Sequence, residues 1–380
     1  MPEGATVADV GRSLLGLAQR HEILRTTYRD LGSAEPAQVV HAEVQPDHIA
    51  VSETGERPGP SHGTGRFVMN RMTTGEAFDL TERPPWKAMV RTYQGRPVLV
   101  ELEVQHIIAD AASCDVLHAD FHSLLAGETL PVAPRPRSLA RDQHSGTWLR
   151  KREGSERYLE RILRAATELS RIPESNAGLS SHMGALRSPS ALAGARRIAA
   201  GLGITPSTVL LTAFARCTEE ALGAPVPPVY VMSSNRHLPG YKELVASMNQ
   251  WMPLLAGPVS GETFEQACAR IHGLRMTSLR YSCYSADMET RVREQVSAEF
   301  GGGLARGFYL NHVPAQDEPG DEPDETSVQW RDLEFTSHPG FFGFFTESGG
   351  FTLAVRATWS GFGRAEVEKL LHAMRTTLAG

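Results

Sequence analysis

Long apolar runs are missing from this 380-residue chain. None approaches the roughly 20 residues needed to cross a bilayer, and the first residues lack the basic-then-apolar layout of a secretion signal. No membrane partner is expected, and the cytoplasm is the expected location. Cysteine is scarce too. Cys114, Cys217, Cys268 and Cys283 stand far apart, without a C-x-x-C pair or histidine-rich company. That argues against a zinc site and against a disulfide framework, so no metal ligands are assigned, and Cys114 reads as a small buried hydrophobe. Positive charge is not in excess. A net charge of −6 provides no basic stripe of the kind nucleic acid requires. Internal repeats and low-complexity arrays are also lacking. What is present is ordinary for a soluble globular protein: 41% hydrophobic and 22% charged residues, over a length that suggests two or more lobes.

The stretch Val104 to Ala111 carries the chemistry. Val98, Val100, Leu102 and Val104 alternate with Leu99, Glu101, Glu103 and Gln105, the period of a half-buried strand. His106 continues the apolar series and is expected to point inward from the strand end, with Gln105 outward. An imidazole held there can accept a proton near neutral pH if a substrate reaches it. Asp110, on the following loop, either bonds that ring or pins the loop through an arginine; spacing leaves both arrangements open. A core histidine satisfied by a backbone carbonyl is the bland alternative.

The surrounding pattern is mixed helix and strand. Thr6 with Asp9 caps a first helix whose inward side is Val7, Val10, Leu14 and Leu17. Residues 54–66 read as a loop, and Trp86 to Thr92 with Val98 to Gln105 as a hairpin around Tyr93 to Pro97. A helix from Ala112 to Leu125, a Pro-rich connector from Pro131 to Pro136 and a charged helix from Glu156 to Ser170, stopped by Pro173, follow. The lobe boundary is set there, giving lobes 1–172 and 173–380. Thr205-Pro206 caps a further helix. Val229 to Met232, Phe308 to Leu310 and Phe351 to Ala357 are strands, and Arg364 to Leu378 is the closing helix. The six carboxylates between Asp317 and Glu325 resist packing.

Gln105-His106-Ile107-Ile108-Ala109-Asp110-Ala111 resembles the His-His-x-x-x-Asp-Gly signature of the condensation domains of non-ribosomal peptide synthetases. Arg20-His21-Glu22-Ile23-Leu24-Arg25-Thr26-Thr27-Tyr28 resembles the family's Arg-His-Glu-x-Leu-Arg-Thr-x-Phe motif. Phe78-Asp79-Leu80 with Pro84-Pro85-Trp86 resembles the stretch before its central hairpin, and Leu192 to Leu222 its helix-turn-helix. Ser233 to Arg236 and Leu244 to Leu254 resemble its Gly-Arg and Gly-Phe-Phe-Val-Asn-Thr-x-Pro-Leu segments.

The resemblance implies an α/β (α+β) fold of two chloramphenicol acetyltransferase-like lobes in a V-shaped arrangement with a central tunnel. Along that tunnel a carrier protein's phosphopantetheine arm brings an acyl thioester to an amine or alcohol, with no cofactor bound directly. It implies His106 as the catalytic group, and Asp110 paired with Arg236 as structural support, with Gln105 and Ala111 beside them. Ser113, Gln250 and Trp251 are expected substrate contacts. The lone histidines His21 and His312 are read as structural. Arg150-Lys151-Arg152 and Arg196-Arg197 are the candidate patches for an acidic acyl or peptidyl carrier protein. Gln105 cannot titrate, and Ala111 has less backbone freedom than glycine. The family's usual opening, with a Ser-x-x-Gln segment and a first strand, is not found before Thr6, so either the start is assigned late or one tunnel wall is reduced. The leading expectation is a free-standing condensation enzyme, since no adenylation domain or carrier serine motif fits. The alternatives are an inactive condensation-like domain that recruits a tailoring enzyme, or a coenzyme A-dependent O/N-acyltransferase. Epimerisation is disfavoured because no second glutamate-bearing signature stands opposite the histidine.

Overall fold

The structure, a computed structural model, describes residues 4–33, 35–44, 46–55, 66–70, 78–169, 182–304, 307–313, 326–332, 341–346, 352–357 and 363–380. The expected stop at Pro173, the acidic stretch Asp317 to Glu325, Phe351, and most of the loop at 54–66 lie outside those residues.

Two compact units emerge. The first comprises Met1–Trp148 together with Ser234–Asn249, and the second Leu149–Ser233 with Gln250–Gly380. The sequence puts the boundary at 172/173, whereas the contacts move it to 148/149 and return 234–249 to the first unit. The physical reason is packing. The helix Gly146–Leu169 buries Leu159 and Leu163 against Met288, Val292 and Val296 of the second unit, and Val245 joins the apolar core of the first.

In chain order the first unit contains α1 (Val7–Arg20), β1 (Thr26–Arg29), β2 (Ala37–Val40), β3 (Ile49–Glu53), β4 (Arg66–Asn70), β5 (Trp86–Tyr93), β6 (Arg96–Gln105), α2 (Ala111–Leu125) and α3 (Pro136–Gln143). A four-stranded sheet runs β3-β5-β6-β4, with β5 and β6 antiparallel and the flanking pairs parallel. Val10, Leu14 and Leu17 of α1 and Leu117 and Phe121 of α2 share one buried core with Val90, Val100, Leu102 and Val104 of that sheet. The expected capping box forms: the Thr6 hydroxyl accepts from Asp9 N, and the Asp9 carboxylate accepts from Thr6 N at 2.8 Å.

The hairpin is tighter than its five-residue reading. β5 and β6 extend until only Gln94 and Gly95 remain, at φ 51° and 72°, the two positive values of a type I′ turn. A register shift between Arg91 and Thr92 accompanies this. It also explains why Leu99 is buried and Val98 only half-buried, against a strict two-residue alternation, since a bulge turns side chains out of phase.

The helix Gly146–Leu169 is α4, and the second unit continues with β7 (His182–Arg187), α5 (Pro189–Leu202), α6 (Pro206–Leu222), β8 (Val229–Ser233), β9 (Gln250–Leu254), α7 (Phe264–Arg280), α8 (Ala286–Glu299), β10 (Phe308–Val313), β11 (Gln329–Asp332), β12 (Phe341–Thr346), β13 (Thr352–Ala357) and α9 (Arg364–Ala379). Its seven-stranded mixed sheet runs β11-β7-β13-β12-β10-β8-β9. Helices α5, α6 and α9 cover it through Leu192, Val209, Leu210, Phe214, Leu370 and Leu371. Pro206 opens α6 as expected, but the Thr205 hydroxyl makes no cap bond; it lies 2.9 Å from the Ser207 hydroxyl and accepts from Arg275. The architecture is α+β throughout. No single helix among the described residues is long and apolar enough to cross a membrane.

Candidate functional site

Strand β6 stops at Gln105, one residue earlier than its apolar alternation suggests. Gln105 N donates to Pro85 O at 2.9 Å, tying the end of β6 to the Pro-Pro-Trp start of β5, and Ile108 N closes a turn on Gln105 O at 3.0 Å. His106 is therefore the first residue of that turn and not the last of the strand. It is half-buried, and its imidazole makes no hydrogen bond or ion pair with a described residue. Ile107 projects outward at 40% exposure, while Ile108 and Ala109 are fully buried and anchor the turn from below. A half-buried ring that the described residues leave unengaged can exchange a proton with an incoming group.

Asp110 does something different. It is the N-cap of α2, and its Oδ1 accepts from Ser113 N at 2.9 Å, satisfying one of the helix's first amides. The same oxygen accepts from Arg236 Nη2 at 2.6 Å, and its other oxygen from Met248 N at 3.0 Å. Of the two arrangements the spacing left open, the structure holds the carboxylate against Arg236, away from any bond to the imidazole. Arg236 in turn donates to the carbonyls of Leu244 and Ala246, so one guanidinium and one carboxylate clamp both ends of the 244–248 segment onto α2. Asn235 supports the same loop from a left-handed backbone (φ 52°), donating from Nδ2 to Met248 O at 2.8 Å; asparagine tolerates that conformation.

Ser113 is not placed as a substrate contact. It is fully buried, and its hydroxyl lies 2.8 Å from Asp110 Oδ1 and 2.9 Å from Ala246 O while accepting from Ala246 N and Arg236 Nη2. With two donors on its lone pairs and two oxygens competing for its one proton, the hydroxyl has no hydrogen-bonding capacity left over. Ala111 is the first helical residue of α2 and is exposed; a right-handed helical backbone makes no demand for glycine there. Gln105 is half-buried, its Oε1 reaching Ile107 N at 3.4 Å.

Gln250 and Trp251 belong to the second unit. Both are half-buried at the start of β9. Gln250 Nε2 donates to Tyr284 O at 2.7 Å, the Tyr284 hydroxyl donates to Trp251 O at 2.5 Å, and the Trp251 ring stands edge-on to Tyr309. Tyr309 stacks on Tyr230, over which Arg293 lies. Burial pushes the Tyr230 phenol up to about 12 and raises Tyr284 further still, so both hydroxyls stay protonated, Tyr284 donating to Trp251 O and Tyr230 accepting from Arg293 Nη2 at 3.2 Å.

Sequence reading missed the partners of the Arg20-His21-Glu22 motif. Asp120 of α2 accepts from Arg20 Nε at 2.7 Å and lies 2.8 Å from His21 Nε2, and Glu22 accepts from Arg137 of α3. The motif thus fastens α1 to α2 and α3, with His21 buried as a structural residue. About a hundred residues separate His21 from Asp120, and no spacing signal spans that distance. Burial works to raise the Asp120 pKa, but the bonds from His21 and Arg20 outweigh it and hold the carboxyl below its ordinary value.

A mixed α+β protein with a histidine turn leading into a capped, arginine-locked helix is the class that fold and site define. Over 99% of its length, the chain has the fold of the SgcC5 protein from Streptomyces globisporus (TM-score 0.69, 14% identity, 90% of that chain covered). The fold is also that of a condensation domain described for chain release from the enacyloxin polyketide synthase (TM-score 0.68, 16% identity, 99% and 75% covered). The condensation domain model matches residues 3–285, and the chain belongs to that family. Among curated relatives, a linear gramicidin synthase of Brevibacillus parabrevis is 32% identical over 129 residues, 33% of this chain and 2% of that protein. Tyrocidine synthase 3 of the same organism is 32% identical over 119 residues, 31% and 2% respectively. The chain thus matches only a small fraction of the length of these relatives. Membership carries acyltransferase-type condensation chemistry in natural product biosynthesis as the family's general activity.

Proposed function

We propose that this protein is a free-standing condensation enzyme of non-ribosomal peptide or hybrid natural product biosynthesis. It transfers an acyl group from the phosphopantetheine thioester of an acyl or peptidyl carrier protein to an amine, and secondarily to an alcohol, in the cytoplasm. The observation that carries the reading is the state of His106: half-exposed, unengaged by any described side chain, and fixed in a turn whose far end is locked by Asp110 and Arg236.

In the proposed reaction the acceptor nitrogen attacks the thioester carbonyl carbon, a C–N bond forms, and the C–S bond breaks to release the carrier thiolate. His106 takes the proton from the acceptor, or holds the amine by a hydrogen bond, and the proton ends on the thiolate. Thioester activation is already present in the donor, so alignment supplies much of the rate. Asp110 and Arg236 act as positioning residues, with Gln105 and Ala111 flanking the turn. Gln250 and Trp251 are the proposed substrate contacts.

A second reading, a recruitment domain without catalysis, is favoured by Gln105 at the first histidine of the signature and by the likeness to the X-domain in complex with OxyB from teicoplanin biosynthesis (TM-score 0.61, 15% identity, 99% and 85% covered). Incubation with acyl-loaded carrier protein, acyl-coenzyme A and a panel of amines and alcohols separates the readings. Carrier-dependent amide formation supports the proposal. Turnover of acyl-coenzyme A alone replaces it with a coenzyme A-dependent acyltransferase, and no turnover with any donor replaces it with the recruitment role.

A further inference from the structure

Two histidines that the condensation chemistry leaves unused stand one turn apart on the outer side of α2. His118 is exposed and His122 half-buried. Their Nε2 atoms lie 3.0 Å apart, with ring centroids at 4.4 Å and planes crossing at 69°. Positions i and i+4 of a helix are neighbours on one face, so this approach is fixed by the backbone and does not depend on a distant loop. The second ring is also braced from behind, since His122 packs edge-on against buried Phe121 at 5.5 Å. The helix itself is held at its start by the Asp110 cap and through Leu117 and Phe121.

From this geometry we propose that His118 and His122 form a two-nitrogen chelate for a divalent transition metal, copper(II) above the others. With metal–nitrogen bonds of about 2.0–2.1 Å, nitrogens at 3.0 Å subtend about 94° at a shared metal. That is close to the right angle between adjacent ligands of a square-planar or tetragonal ion, the geometry of copper(II) and nickel(II). A tetrahedral ion would need the nitrogens about 3.3 Å apart at the same bond lengths. At that distance either ring can carry the proton between the two nitrogens. Binding through both Nε2 atoms requires each neutral ring to carry its proton on Nδ1, so that each Nε2 offers a lone pair, and water completes the coordination. Among the described residues no group of three or more His, Cys, Asp or Glu is placed to hold a metal, so the site is a bidentate one on a rigid helix.

The test titrates untagged full-length protein with copper(II) chloride, nickel(II) chloride and magnesium chloride, following heat, melting temperature and the copper electron paramagnetic resonance spectrum. The expected result is one copper bound per chain with two-nitrogen coupling and a raised melting temperature, nickel weaker, and magnesium without effect. His118→Ala and His122→Ala each should weaken copper binding by about tenfold or more, the loss of a chelate's second arm, and the double variant should remove it. Both positions are on the outer face, and melting of each variant without metal confirms folding. Copper binding of equal strength in the folded double variant, or no copper binding by the wild type, would overturn the site.

Discussion

Asp110 is only 3% exposed and serves three different donors, from Arg236, Ser113 and Met248. Replacing it with alanine strands the Arg236 cation beside carbonyls already in use, and breaking such a buried pair costs about 3–5 kcal/mol. Asp110→Ala should therefore lower the melting temperature markedly, and a wild-type melting curve would count against the clamp. Ser113→Ala leaves the buried Ala246 amide without its acceptor, at a cost of about 1–3 kcal/mol. Because its hydroxyl faces inward, the expected loss is in stability, with the KM for acyl carrier unchanged. The strand leading to the His106 turn was legible in sequence, because a two-residue alternation is a local signal, whereas the capping of α2 by Asp110 emerged only from the structure. The inward burial of Ser113 was not legible either, since it depends on Ala246, 133 positions away.

Among the elements, the apolar packing of α1 on α2 is reinforced by Asp120, which holds Arg20 and His21. A carboxylate whose folded pKa lies below its unfolded one stabilises the fold at neutral pH, and that contribution is lost as the pH falls below the ordinary 3.8 and through the lowered folded value. Asp120→Asn should flatten the acid limb of the stability curve below that point while lowering stability at pH 7; an unchanged acid limb would show that the bonds with Arg20 and His21 contribute nothing. Helices α5 and α9 give a second case. A Cβ on Gly194 would fall 1.7 Å from Leu378 O, a contact only a backbone shift can relieve, so Gly194→Ala should destabilise the second unit by about 1–3 kcal/mol, measured by denaturant unfolding. Helix and strand types were readable from periodicity here. The hairpin's register was not, because the slip at Arg91/Thr92 is set by the tight Gln94-Gly95 turn competing with the apolar alternation.

For the whole molecule, periodicity and motif order reveal the α+β class but misplace the partition. The boundary at 172/173 leaves 234–249 in the second lobe by position alone, and the Arg236 clamp and the burial of Val245 return it to the first unit. This explains why Arg236, so far along the chain, supports the turn that holds His106. The central claim is that this turn presents a working imidazole, and the ring's lack of partners among the described residues makes the claim unusually clean to test. Removing His106 should cost little stability, so His106→Ala should melt with the wild type. The decisive measurement is amide formation from acyl-loaded carrier protein by the folded His106→Ala variant beside the wild type: the account predicts product from the wild type and none from the variant, and equal turnover by both would contradict it.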